Sequence, residues 1–199
     1  MTERQPTVHL IHGINVSDPM KNIGKLKPCF EEVGFKNVVV EDYGFLPFGL
    51  AWLRNKSIAR KLLKNMMPGD IVVAHSNGAA ITYHLLEMGA QFSGVVLLNP
   101  ALNHNLALPR GVSWVHIYHN ENDYVVWLAK WIPAHIWGDQ GRRGYTGNDP
   151  RYKNIDTSKL AGALAGEEHS DYWADDKFPA WCPFMTRETW SAYTAHLNA

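Results

Sequence analysis

The chain has 199 residues, and its 19 Lys and Arg balance 19 Asp and Glu to a formal net charge of zero. That balance excludes a long-range field for polyanions, and a chain 46% hydrophobic and 19% charged is not a disordered one. The length suits a single domain over residues 1–199, and the unusual feature is aromatic: 8 Trp within a 12% share of Phe, Trp and Tyr.

The two cysteines, Cys29 and Cys182, give no disulfide framework. Their spacing leaves open whether they pair, and two unbridged thiols in a reducing cytosol are the ordinary expectation. Residues 1–6 carry no secretory pattern. No stretch approaches the ~20 apolar residues of a membrane helix. A cytoplasmic protein without an integral membrane segment is therefore expected.

In chain order, Val8-His9-Leu10-Ile11 reads as a buried strand ending at His12-Gly13. Residues 20–33 read as a helix, and Val38-Val39-Val40 as a second strand. Residues 51–66 carry Ile58, Ala59, Leu62, Leu63 and Met66 at helical spacing, with Lys56, Arg60 and Lys64 on another face. Ile71-Val72-Val73-Ala74 is a third strand, followed by a helix to about Met88. Val95-Val96-Leu97-Leu98 and Trp114-Val115-His116-Ile117-Tyr118 are the fourth and fifth strands, and a helix over 124–132 stops near Pro133. Residues 138–154, punctuated by four glycines, read as an irregular insertion or hairpin. Asn154-Ile155-Asp156 reads as a last short strand, and 186–197 as a closing helix. Apolar strands alternating with helices predict an α/β fold: a mostly parallel sheet covered on both faces.

The chemistry gathers at strand ends. Ala74-His75-Ser76-Asn77-Gly78 places a serine between small residues at a strand-to-helix turn, where larger side chains would collide. An ordinary helix cap would also put Ser there. A nucleophilic serine needs a base and the base an orienting acid. Asp123 follows the fifth strand, where functional groups collect in parallel sheets, with Glu121 as the competing acid and a helix cap as the plain alternative. His169 follows the last strand and completes the order Ser76, Asp123, His169. Among the 10 histidines, His116 lies within a strand, His119 precedes the acid, and His196 is too near the end of the chain. Two backbone donors for an oxyanion would come from Asn77 and, in the loop His12-Gly13-Ile14-Asn15, from Ile14.

Together these residues resemble the α/β-hydrolase superfamily over about residues 6–197, and the Ala-led elbow is similar to that of small lidless bacterial lipases. The resemblance implies a serine esterase or lipase-like enzyme. Ser76 would attack an acyl carbon, with His169 as base and then acid. Asp123 would orient His169, and the Ile14 and Asn77 amides would bind the oxyanion. The short 99–111 connection predicts no lid domain. Asn77 stands where Met, Gln or Gly is common. A thioesterase, peptidase or acyltransferase would share this triad, and a non-catalytic ligand-binding relative is the rival of another class.

No cofactor is implied. His169, Asp171 and Asp175 lack the spacing of a specific metal motif, and the Lys56, Arg60, Lys61, Lys64 face reads as a solvated surface rather than a nucleic-acid site. A small-molecule ester is the expected partner, and the sequence gives no oligomeric state. Seven Trp follow residue 113. Trp137 and Trp173, with His12, are the expected substrate contacts.

Overall fold

The structure, a computed structural model, describes residues 4–129 and 136–198. Six strands form one all-parallel sheet in the order β2-β1-β3-β4-β5-β6. They are β1 (Thr7–Ile11), β2 (Asn37–Glu41), β3 (Asp70–His75), β4 (Phe92–Leu98), β5 (Val112–His119) and β6 (Tyr152–Asp156). The central strands are buried along nearly their whole length, which is why they read as continuous apolar runs. Pairing of Ile11 with Ala74, Ala74 with Leu97 and Leu97 with Ile117 brings the carboxyl ends level. The chain reverses its direction of travel across the sheet between β1 and β3, the place where parallel sheets open a crevice.

Helices α2 (Ala51–Leu62) and α3 (Gly78–Glu87) cover one face and meet Ile11, Val72, Ala74, Val95 and Leu97. Helices α1 (Lys27–Glu32) and α6 (Phe178–Leu197) cover the other, over Val8, Leu10, Ile71, Val73 and Val96. Two shorter helices, α4 (Tyr124–Ala129) and α5 (Gln140–Arg143), lie in the connection from β5 to β6.

Several boundaries differ from expectation. The helix expected over 20–33 is two 3-10 turns, Pro19–Lys21 and Ile23–Leu26, followed by α1. Pro28 lacks an amide hydrogen, so it fits the first turn of a new helix and not the interior of a long one. The closing helix begins eight residues early, at Phe178, and carries Pro183 in its interior. Residues 138–151 are not a hairpin: they hold α5 and lead into β6 at Tyr152. The expected continuation of α4 to 132 and its stop at Pro133 lie outside the described residues.

The expectation of two free thiols is overturned. Cys29 of α1 and Cys182 of α6 form a disulfide, with Cα atoms 5.9 Å apart and 153 residues between them in sequence. The fold sets the two helices side by side on one face, a neighbourhood that no local spacing encodes. The cytoplasmic reading rested on unbridged thiols and loses that support.

A second unexpected feature is ionic. His9, buried in β1, lies between Glu41 (Nδ1 to Oε1, 2.7 Å) and Asp70 (Nε2 to Oδ2, 3.1 Å), and Arg4 reaches Asp70 at 2.7 Å. Burial pulls the His9 pKa down, but the two carboxylates outweigh it and hold it above its ordinary value. Asp70 is held down at about 2: burial opposes its ionisation, and the bonds from His9, the Met67 and Thr7 amides and Arg4 overcome that. Because the His9 pKa is raised by folding, its contribution is full below about 6.5 and is lost as pH rises through the elevated value.

Two outcomes follow from this architecture. Unfolding free energy of the wild type declines as pH rises above about 6.5, and His9→Gln flattens that slope; an unchanged slope in chemical denaturation would refute the assignment. Replacing both cysteines by serine lowers stability by about 2–5 kcal/mol, read by denaturant titration against the oxidised protein.

Candidate active site

Ser76 leaves β3 with φ 56°, in the left-handed region that costs a non-glycine residue on the order of 1–3 kcal/mol. The backbone around it compensates. Its N–H donates to the Leu98 carbonyl at 2.9 Å, and its carbonyl accepts the Ala79 and Ala101 amides at 3.2 and 3.1 Å. Two glycines make room: a Cβ on Gly13 would lie 2.9 Å from Ser76 Cβ, and one on Gly78 2.6 Å from the Ile11 carbonyl oxygen. The cap position of α3 falls on Asn77, which makes no side-chain cap bond, so Ser76 is not the helix cap its context also allowed.

Asn77 is buried, and its side-chain amide pairs reciprocally with that of buried Asn55 at 2.8 and 2.9 Å. Asn55 sits in the buried stripe of α2 with Ala51, Ile58, Ala59 and Leu62. A polar residue in that stripe was the available signal, and sequence reasoning passed over it. The facing loop is held from below. Tyr43 stacks on His12 with centroids 3.9 Å apart, and its hydroxyl donates to the His12 and Gly13 carbonyls. His12 Nδ1–H donates to the Gly13 carbonyl at 2.8 Å, and Asn15 N–H to that of Leu46 at 2.9 Å. Neither the Ile14 nor the Asn77 amide is used by the turn and loop backbone bonds of the described residues. His12 itself is fully buried, with its pKa lowered by burial, and supports the loop.

His169 and Asp123 meet across 46 residues of sequence, Nδ1 to Oδ2 at 2.7 Å, with Asp123 fully buried. The other Asp123 oxygen accepts the Val126 amide at 3.1 Å, so this residue both caps α4 and bonds the histidine. Glu121 is exposed, and only its carbonyl is engaged, by Arg142 at 2.6 Å. His116 and His119 are buried with lowered pKa values, His116 at about 4, and His196 is exposed near the end of α6.

The His169 loop is fastened by residues the sequence reading did not assign. Its carbonyl accepts His75 Nε2–H at 3.1 Å and Asn99 Nδ2–H at 3.0 Å, and Tyr172 donates to Asn99 Oδ1 at 2.8 Å. Burial, reinforced by His169 nearby, pushes the His75 pKa down to about 3, so this imidazole is neutral and serves as a donor. Asp171 accepts the Glu167 and Glu168 amides at 2.6 and 2.9 Å and binds Lys177 at 2.9 Å. Asp171 therefore organises the loop, and among the described residues no group of three or more His, Cys, Asp or Glu could hold a metal ion.

A cleft of about 520 Å³ opens beside His169, walled by Asn122, Tyr124, Val125, Glu167, Glu168 and Ser170. Trp137 and Trp173 are not among its walls. Trp137 is buried near Phe48, with centroids 6.3 Å apart, and Trp173 is buried edge-on to His75 at 5.5 Å. The exposed apolar side chains at the cleft are Tyr124 and Val125.

The sequence matches no protein-family model and no curated protein. Solved structures are similar throughout. A monoacylglycerol lipase of Paleococcus ferrophilus superposes with TM-score 0.61 at 13% identity, over 95% of this chain and 94% of that one. Carboxyl esterase 2 of Tuber melanosporum gives 0.56 at 12% identity, over 95% and 79%. A CIB-like hydrolase of Thermoplasma acidophilum gives 0.53 at 15% identity, over 94% and 89%. With a six-stranded parallel sheet, helices on both faces and no lid domain among the described residues, the chain has the α/β-hydrolase fold.

Proposed function

We propose that this chain is a serine hydrolase that cleaves a carboxylic ester through an acyl-enzyme. The observation that carries the reading is the buried Asp123–His169 pair, held on the same edge of the sheet as a serine in a left-handed turn. The hydrolase neighbours of the same fold are consistent with it.

With Nδ1 bonded to Asp123, Nε2 of His169 is the nitrogen left for proton transfer. Ser76 Oγ attacks the acyl carbon while His169 takes its proton. The oxyanion is bound by the Ile14 and Asn77 amides, which need no reorganisation because Tyr43 and the Asn55–Asn77 pair already fix their loops. His169 then gives its proton to the departing alkoxide, leaving Ser76 acylated. Water attacks the acyl-enzyme by the same route in reverse, its proton passing through His169 to Ser76. Asp123 holds the imidazole in the required tautomer.

A fluorophosphonate labels Ser76 and no other residue of the folded protein, and Ser76→Ala abolishes both labelling and ester hydrolysis; absence of labelling in folded wild type refutes the proposal. Asp123→Asn lowers kcat by a factor that can reach about 10⁴, whereas Glu121→Gln leaves it near wild type. Equal losses in steady-state assays would reassign the acid. A ligand-binding relative without turnover would show thermal stabilisation by esters and no hydrolysis across a chain-length panel.

A further inference from the structure

The charge balance of the whole chain hides a local asymmetry. Residues 43–69 contain no Asp or Glu but five cations: Arg54, Lys56, Arg60, Lys61 and Lys64. All five are exposed, on α2 and the 3-10 turn Leu63–Asn65 that extends it. None forms an ion pair among the described residues. The nearest acids are engaged or set apart. Glu41 is bonded to His9, and Asp42, which lines a cleft with Arg54 and Lys61, accepts the Gly44 amide through Oδ1 at 2.9 Å and pairs with neither cation.

The same segment leaves large apolar side chains in water. Phe45, Phe48, Leu50, Trp52 and Leu53 are 45–57% exposed. Scattered exposed apolar residues need no explanation, but five within nine positions form a cluster. The helix orders the two chemistries. Trp52, Lys56, Arg60 and Lys64 follow one another at four-residue spacing, and Leu53, Ser57 and Lys61 form the neighbouring row. The apolar end adjoins the catalytic edge of the sheet: the 42–50 connection bonds the oxyanion loop through Leu46 and Tyr43, and Phe48 lies against Trp137.

We propose that this face docks on an anionic lipid surface, with Phe45, Phe48, Leu50, Trp52 and Leu53 entering the interface and the α2 cations lying over the phosphates. Charge complementarity selects the occupant, because the cations attract phosphate and the apolar front gains only where hydrocarbon can receive it. A nucleic acid would satisfy the cations and leave the aromatic front in water. The docking is independent of turnover, since none of these residues belongs to the Ser76, Asp123, His169 set.

The test is flotation of the whole protein with vesicles of phosphatidylcholine alone or with one third phosphatidylglycerol. Binding to the anionic vesicles is expected to be roughly tenfold or more stronger, and to weaken with salt. Phe45→Ser with Leu53→Ser, and separately Lys56→Glu with Lys64→Glu, each reduce binding at least about fivefold without changing the thermal midpoint, because all four side chains are exposed. Ser76→Ala binds as wild type, so failure of the hydrolase reading and failure of this one are distinguishable. Equal partition to both vesicle types, no flotation with either, or tighter binding to a short DNA duplex than to anionic vesicles would overturn the proposal.

Discussion

The strained turn at Ser76 is the constraint around which the rest is arranged. A serine at φ 56° is unfavourable in isolation, and it persists because its surroundings overdetermine it. Its amide and carbonyl are spoken for by Leu98, Ala79 and Ala101, and the loop after β1 and the start of α3 close on it where Gly13 and Gly78 have no side chains. Adding one carbon at either glycine would force backbone to move against backbone. The level carboxyl ends of β1, β3 and β4 are what allow three segments to converge on one residue.

From that turn, two polar networks reach outward and serve different ends. The Asn55–Asn77 amide pair and the Tyr43 hydroxyl fix the backbone in front of the serine. His75, Asn99, Tyr172 and Asp171 fix the loop that carries His169. The second network depends on a histidine that stays neutral. Were His75 readily protonated, a cation would sit beside the His169 imidazole, whose ring centroid is 4.9 Å away. Burial prevents this by pushing its pKa to about 3.

How much of this was legible depended on whether a residue's reason was local. The six strands, α2 and α3 followed from apolar runs and spacing, and Ser76 from small neighbours at a strand-to-helix turn. Asp123 and His169 were singled out by chain order, and the two side chains meet because parallel strands deliver their loops to one edge. Residues whose partners are distant were missed. Asn55 answers a residue 22 positions away, and His75 and Asn99 bond a carbonyl 94 and 70 positions away. Composition drew attention to Trp137 and Trp173, and both are buried, as indoles that fill volume commonly are. The C-terminal helix was read short; its added first turns hold Pro179, which falls in the opening turn where an amide hydrogen is not needed, and Pro183 in the interior.

The disulfide divides the molecule in a way the sheet does not. Residues 29 and 182 close a covalent ring that contains Ser76, Asp123 and His169, whereas β1 and the loop after it lie outside it. In the unfolded chain the three side chains are thus tethered to one another, and the segment carrying β1, Gly13 and Ile14 is a free arm. That arm must be inserted between β2 and β3 to complete the sheet. The bridge thus links the segments bearing Ser76, Asp123 and His169 covalently, whereas the loop bearing Gly13 and Ile14 meets Ser76 only through the insertion of that one strand.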